Sequence, residues 1–93
     1  MLKVNEYFDG KVRSIGFEDH DGPVTVGVMQ AGSYTFSTSS RELMTVITGA
    51  LTIRRPGDAD WETFAPGESF QVHADIAFDV RVEEPSSYVC RYG

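Results

Sequence analysis

The sequence has little of what several classes of protein need. Cys90 is the single cysteine among 93 residues, so no disulfide can form within the chain. Eight Lys and Arg stand against fourteen Asp and Glu, which gives a net charge of −6. Because a nucleic-acid polymer is bound through a basic face, we expect no such partner.

Long apolar runs are missing as well. No run approaches the roughly 18 apolar residues of a membrane-spanning helix, so no membrane segment is expected. The first ten residues, MLKVNEYFDG, mix charge with aromatics too early for the apolar core of a signal peptide. Together with the lone cysteine, which we expect to be a small buried apolar residue, this predicts a cytoplasmic protein.

Glycine and proline recur at short intervals, and β-branched and aromatic residues alternate between them. This pattern is typical of short antiparallel strands. Ser39 to Glu42 matches a helix capping box, but the β-branched residues that follow favour a turn and then a strand. We predict strands over 24–29, 33–38, 43–53 with a turn at Gly49, 68–72, 76–82 and 87–92, and a weaker one over 11–17.

About eight or nine short strands and no long helix predict an all-β sandwich or barrel. The length favours a single domain over residues 1–93. A small barrel suits a binding role, because its inward side chains either fill the interior or line a ligand cavity.

Two stretches, MTVITGALTI (44–53) and PGESFQVHADIAF (66–78), give this barrel a more specific interpretation. They resemble the two motifs of the cupin (RmlC-like) β-barrel or jelly roll, which often holds a metal through three histidines and a glutamate. Glu42 and Gly49 keep the Glu-x6-Gly spacing, but the histidine positions fall on Phe36, Thr38 and Phe78. Phenyl rings cannot coordinate a metal, and one carboxylate is too few ligands. We therefore predict a cupin barrel without a metal or other cofactor.

The resemblance extends beyond the motifs to most of the chain. From about residue 4 to residue 92, the sequence is similar to the small cupin-type pyrimidine/purine nucleoside phosphorylases. The stretches that carry this resemblance are NEYF (5–8), GKVRSIGF (10–17), VGVM (26–29), YTFST (34–38), MTVITGAL (44–51), DW (60–61) and SYVCRY (87–92).

The resemblance implies a broad-specificity enzyme that cleaves a nucleoside with inorganic phosphate. The products would be a free base and ribose 1-phosphate. The implied substrates are uridine, adenosine, guanosine, inosine, cytidine, thymidine and xanthosine.

Strand alternation nominates residues for this chemistry. Phe36 and Phe78 are predicted to stack on a base, which suits broad specificity because every base has a π face. Glu42 is predicted to be catalytic and to accept hydrogen bonds from ribose, and Tyr34 and Thr38 to bind phosphate or ribose.

The phosphate site and the leaving base need further groups. His73 is a second catalytic candidate, placed to protonate or hydrogen-bond the base. Arg91 is the best phosphate clamp if it points inward, because a guanidinium binds phosphate with two parallel hydrogen bonds. Alternation leaves its face undecided, so Lys11 and Arg13 remain as alternatives.

Two other functions fit the same motifs. One is a non-catalytic cupin that binds a nucleoside, sugar or small anion, and the other is a structural or partner-binding domain with a filled barrel. The thin core of so small a domain and the exposed edges of an open barrel favour a homodimer.

Overall fold

The computed structural model describes residues 2–93 and contains ten β-strands and no helix in that range. None of its described elements is a helix that could cross a membrane. The strands are β1 (Lys3–Tyr7), β2 (Val12–Asp19), β3 (Gly22–Met29), β4 (Gly32–Ser37), β5 (Glu42–Thr48), β6 (Leu51–Arg54), β7 (Glu62–Phe64), β8 (Ser69–Val72), β9 (Ala77–Val82) and β10 (Ser86–Tyr92).

Two antiparallel sheets face each other across one core. The larger sheet has six strands in the order β1-β2-β3-β10-β5-β8, and the smaller has four in the order β4-β9-β6-β7. Met29, Leu51, Ile53 and Val80 are fully buried between the sheets, as the alternation of these strands requires. The predicted all-β class is therefore confirmed.

Strand β10 lies at the centre of the larger sheet and pairs with both β3 and β5. The side chains of Tyr88 and Cys90 point inward and are buried, and Tyr92 follows on the same face. Arg91 alternates with Cys90 and lies on the outer face. The direction of Arg91, which the sequence left open, is thus decided by the register of this strand.

The strands and the turn predicted from the sequence recur with shifts of one or two residues at their ends. The stretch over 43–53 divides into β5 and β6 at Gly49, which has φ +77°. A Cβ at Gly49 would overlap the Ser86 side chain and come within 3.0 Å of its Cα, so only glycine fits this turn. Strands β1 and β7 were not among the predicted strands.

The outer faces of the two sheets differ in chemistry. Across the larger sheet a row of paired residues is apolar: Val4 faces Ile15, Ile15 faces Val26, and Val26 faces Val89. Val4 is 73% exposed and Val26 38%. The smaller sheet instead presents hydroxyl and charged side chains, such as the bonded pair Thr52 and Thr63. The apolar face of the larger sheet is therefore an unusual surface for an isolated domain.

Candidate active site

A cavity of about 230 Å³ lies between the inner faces of the two sheets. Met44 and Cys90 lie on its larger-sheet side, and Phe36 and Phe78 on its smaller-sheet side. The exposed residues Tyr7, Phe8, Thr35 and Ser37, which also line it, mark its mouth. This volume is slightly below the roughly 300–1,000 Å³ of most ligand pockets, so a bound nucleoside would extend into the mouth.

Glu42 is the one charged side chain among the described residues that line this cavity. It begins β5 and is paired in register with Tyr92 on one side and Val72 on the other. The Cys90 thiol donates a hydrogen bond to Glu42 Oε1 over 3.4 Å. Desolvation by burial raises the pKa of Glu42, against a smaller opposing effect of the Cys90 hydrogen bond.

The thiol that contacts Glu42 remains protonated at physiological pH. Burial, followed by the nearby Glu42 charge, raises the pKa of Cys90 to about 12. Cys90 is therefore a hydrogen-bond donor and packing residue here, and a thiolate nucleophile would be disfavoured. Glu42 thus has a weak hydrogen-bond donor beside it and no cation in the cavity lining. A neighbouring cation would stabilise the carboxylate, so this environment favours the protonated form.

Aromatic rings form the opposite wall. The centroids of Phe36 and Phe78 lie 5.9 Å apart with their planes inclined by 30°, and Phe78 is only 3% exposed. Phe36 is half-buried and reaches towards the mouth. The structure therefore brings Phe36, Phe78 and Glu42, three of the predicted site residues, together around one cavity.

Tyr34 and Thr38 are buried, but neither lines the cavity. The Tyr34 hydroxyl donates to the carbonyl of Gln30 over 2.6 Å. The Thr38 hydroxyl donates to the carbonyl of His73 over 2.7 Å and accepts from the amide of Ile76 over 3.2 Å. Both hydroxyls hold loops in place, so the expected contacts of Tyr34 and Thr38 with ribose or phosphate have no support from this geometry.

His73 and Arg91 also lie away from the cavity lining. The side chain of His73 is exposed in the turn after β8. Arg91 points outward and forms a salt bridge of 2.7 Å with Asp19, whose pKa this contact lowers to about 2. The expectations that His73 assists the leaving base and that Arg91 clamps phosphate inside the barrel therefore need correction, because neither side chain reaches the interior.

The two alternative cations differ from each other. Arg13 forms an ion pair of 3.2 Å with Glu6, on the outer face of the larger sheet. Lys11 lies in the β1–β2 turn, where its amide donates to the carbonyl of Phe8 over 3.2 Å. Within residues 2–93, Lys11 has no ion-pair partner, and like the other candidate cations it does not line the cavity.

The cavity residues do not fit a metal ion. At the motif positions, Phe36 and Phe78 present carbon atoms, and the Thr38 hydroxyl is bonded to the backbone. Glu42 is the remaining carboxylate, and its neighbour Cys90 is a protonated thiol. No cluster of three or more His, Cys, Asp or Glu side chains occurs in the described part of the chain. Glu42 and Cys90 together offer fewer donors than a transition metal needs.

Several lining residues had no role in the sequence analysis. Phe8, Ser14, Tyr88 and Tyr92 all line the cavity. Gly27 gives a clue to Tyr88, because a Cβ there would lie 2.6 Å from Cζ of that ring. Cross-strand alternation from Glu42 would have found Tyr92, its direct partner in β10. No signal in the sequence places Phe8 at the mouth, since its position depends on an irregular turn.

The fold and the cavity define a small cupin barrel. A cupin superfamily protein from Desulfitobacterium hafniense superposes with a TM-score of 0.70 at 13% identity, over 95% of this chain and 79% of that one. Such a likeness shows the fold, and the predicted cupin or RmlC-like barrel is confirmed.

The chain belongs to the pyrimidine/purine nucleoside phosphorylase family, whose model matches residues 2–92. A relative from Yersinia pestis named pyrimidine/purine nucleoside phosphorylase is 57% identical, over 99% of this chain and 98% of its own. A solved structure of a protein of unknown function from Vibrio parahaemolyticus is 46% identical with a TM-score of 0.96, over 100% of this chain and 99% of that one. The family predicted from the sequence is therefore confirmed.

The environment of Glu42 predicts an unusual pH dependence of stability. Because its pKa is raised in the folded state, protonated Glu42 stabilises the fold at low pH, and this contribution is lost as pH rises through the folded-state pKa. Glu42→Gln cannot ionise. We expect the melting temperature of the variant relative to wild type to rise as the pH increases above about 4.5, the ordinary pKa of a glutamate.

The exposed Glu62→Gln is a suitable control in the same melting experiment. Glu62 lies at the surface beside Arg55 and outside the cavity lining, so its substitution controls for the loss of a carboxyl group elsewhere in the chain. If the melting temperature of Glu42→Gln relative to wild type falls as pH rises, that result would contradict a raised pKa of Glu42.

Proposed function

We propose that this protein is a broad-specificity nucleoside phosphorylase that converts purine and pyrimidine nucleosides and inorganic phosphate to free base and ribose 1-phosphate. Family membership supports the reaction class. The observation that carries the proposal is the pairing of one carboxyl group, Glu42, with an aromatic wall, Phe36 and Phe78, in one cavity. The lone buried thiol is consistent with a cytoplasmic location, which we also propose.

In this proposal the aromatic wall binds the base. Phe36 and Phe78 offer ring faces that accept any nucleobase, and stacking on such a ring contributes about 1–3 kcal/mol per base. Apart from Glu42, the described cavity lining has no charged side chain that could select the hydrogen-bonding edge of one particular base. This chemistry fits broad specificity.

Glu42 then acts as the general acid. As the bond between C1′ and the base nitrogen breaks, its electron pair moves to the base, and a phosphate oxygen forms the new bond to C1′. The base nitrogen takes the proton of the Glu42 carboxyl, which is restored from solvent after the products leave. A raised pKa increases the protonated fraction that this role needs near neutral pH. Glu42 thus takes over the task that was assigned to His73.

The phosphate must approach C1′ from the mouth, because the interior holds a carboxyl group and no cation in its described lining. A phosphate dianion beside the only carboxyl of a low-dielectric cavity would be repelled if that group were ionised. Of the three cations considered, Arg13 and Arg91 are occupied by Glu6 and Asp19. We therefore assign phosphate binding to Lys11, in the turn at the mouth.

The reaction is tested with purified protein and inosine or uridine, with and without phosphate. We expect free base and ribose 1-phosphate to appear only when phosphate is present. Base release without phosphate would indicate a hydrolase instead. Nucleoside-dependent thermal stabilisation without turnover would favour the non-catalytic binding protein.

Glu42→Gln serves as the matched variant for this assay. It keeps the volume and the hydrogen bond from Cys90 but cannot donate a carboxyl proton. We expect turnover to fall at least tenfold, in the usual range for loss of a general acid, which is about 10²–10⁴-fold. Wild-type rates in a folded Glu42→Gln protein would remove Glu42 from the reaction.

Lys11→Gln tests the phosphate site. Loss of the ammonium charge should raise KM for phosphate by about tenfold, which corresponds to about 1.4 kcal/mol of binding free energy. The KM for the nucleoside should remain nearly unchanged. The matched controls are Arg13→Gln and Arg91→Gln, whose cations are held in outer ion pairs. A larger effect on KM for phosphate in either control than in Lys11→Gln would contradict the assignment.

We also propose that the functional unit is a homodimer formed by the outer face of the larger sheet. The outward-facing charged side chains of β1, β2 and β10 form two ion pairs within the chain, Glu6 with Arg13 and Asp19 with Arg91. This face is therefore neutral in a chain of net charge −6, and a second copy can approach it without like-charge repulsion. The exposed apolar row across its centre supplies the area that association buries.

Val26→Glu tests this interface. A carboxylate at the centre of the apolar row should convert the dimer to monomer in light-scattering measurements of mass, because burying an unpaired charge is unfavourable. Thr63→Glu, on the outer side of the smaller sheet, is the control and should remain dimeric. A monomeric wild type at about 100 μM would contradict the proposal, since a stable dimer has Kd well below that concentration.

A further inference from the structure

The turn between β1 and β2 has a backbone conformation that its side chains disfavour. Phe8 and Asp9 both adopt the left-handed region, with φ of 53° and 57°, and Gly10 follows at 83°. A bulky aromatic residue rarely has positive φ, since Cβ then approaches the following carbonyl. Such conformations persist where the surroundings fix them, and they cluster at binding sites. Two hydrogen bonds, Gly10 N to Tyr7 O and Lys11 N to Phe8 O, hold this turn.

The consequence of the turn is the position of the Phe8 ring. Its centroid lies 5.0 Å from that of Tyr34 and 5.4 Å from that of Phe36, distances typical of aromatic pairs. Phe8, which follows edge strand β1 of the larger sheet, thereby packs against strand β4 of the smaller sheet. The ring lines the cavity mouth and is still 41% exposed.

The relative orientation of the rings makes a corner. The planes of Phe8 and Phe36 are inclined by 84°, whereas Phe36 and Phe78 are inclined by only 30°. A planar base that stacks on Phe36 would therefore meet Phe8 at its outer end. The half-exposed apolar ring of Phe8 would lose contact with water when the base is bound.

We propose that Phe8 is a base-contacting residue that favours purine over pyrimidine nucleosides. This inference rests on the proposed function. The cavity of about 230 Å³ holds little beyond the ribose and one ring, so the second ring of a purine extends towards the mouth, where Phe8 lies. A pyrimidine leaves that space empty and gains less from the same side chain.

The test is Phe8→Asn, compared with wild type on inosine and on uridine. Asparagine tolerates the left-handed conformation, so the turn is kept while the ring is removed. We expect kcat/KM for inosine to fall about tenfold, and that for uridine to fall less than about threefold, because stacking area is lost mainly for the larger base. Phe8→Tyr retains a ring and should restore the wild-type ratio.

Asp9→Asn is the control for the turn itself. Asp9 shares the left-handed conformation but neither lines the cavity nor forms a side-chain hydrogen bond in the described structure, so both substrates should react at wild-type rates. Equal losses for inosine and uridine in Phe8→Asn, or no loss in either, would overturn the proposal.

A binding measurement separates failure of this inference from failure of the proposed reaction. Inosine and uridine should each raise the melting temperature of the wild type, and Phe8→Asn should lose more of the inosine effect. If the wild type binds nucleosides but does not turn them over, the phosphorylase proposal fails while this comparison still decides the role of Phe8. A wild type that neither binds nor reacts would overturn both.

Discussion

The central position of β10 is the constraint on which the site depends. Because this strand is paired on both sides, its alternation is fixed by two registers at once. Tyr88, Cys90 and Tyr92 must then face the interior together, and Arg91 must face out. A slip of one residue would exchange these sets and put a guanidinium in the cavity. The acidic, aromatic character of the interior is therefore a property of the sheet as a whole.

In the proposed function, that character assigns the two substrates to different places. Inside, Glu42 and the aromatic wall suit a base and its leaving-group proton. Outside, at the mouth, one turn contains both Lys11 and Phe8, whose ring is exposed. A nucleoside whose base lies along the aromatic wall, with its outer edge at Phe8, would keep C1′ within reach of a phosphate that enters at the mouth. Separation of the acid from the anion avoids the repulsion that a shared cavity would impose.

Local sequence patterns determine much of the fold but less of the site. Alternation and a glycine turn were sufficient to predict strands β5 and β6. The structure shows why the turn needs glycine, since Gly49 has a positive φ and lies against Ser86. Phe36, Phe78 and Glu42 were found through the resemblance to the two cupin motifs, which places them at the positions of metal ligands. The three-residue strand β7 is too short to show that period.

The errors in the site have physical causes. Alternation tells which residues share a face and leaves open which face is inside, so Arg91 could not be placed. Thr38 points inward by parity, but two nearby backbone groups, the His73 carbonyl and the Ile76 amide, occupy its hydroxyl. The Asp9-Gly10 pair signals a turn, but strand alternation does not show that Phe8 adopts a left-handed conformation there or that its ring reaches the cavity mouth.

Replacement of imidazoles by phenyl rings changes what the remaining carboxylate does. A metal ion beside Glu42 would favour its ionised form, since an adjacent positive charge lowers a carboxyl pKa. In this barrel the same group has apolar rings and a protonated thiol around it, and its pKa is raised. In the proposed reaction, Phe36 and Phe78 thus supply surfaces for a base, and the absence of a metal leaves Glu42 as a proton donor. One set of changes in sequence accounts for both halves of the proposed chemistry.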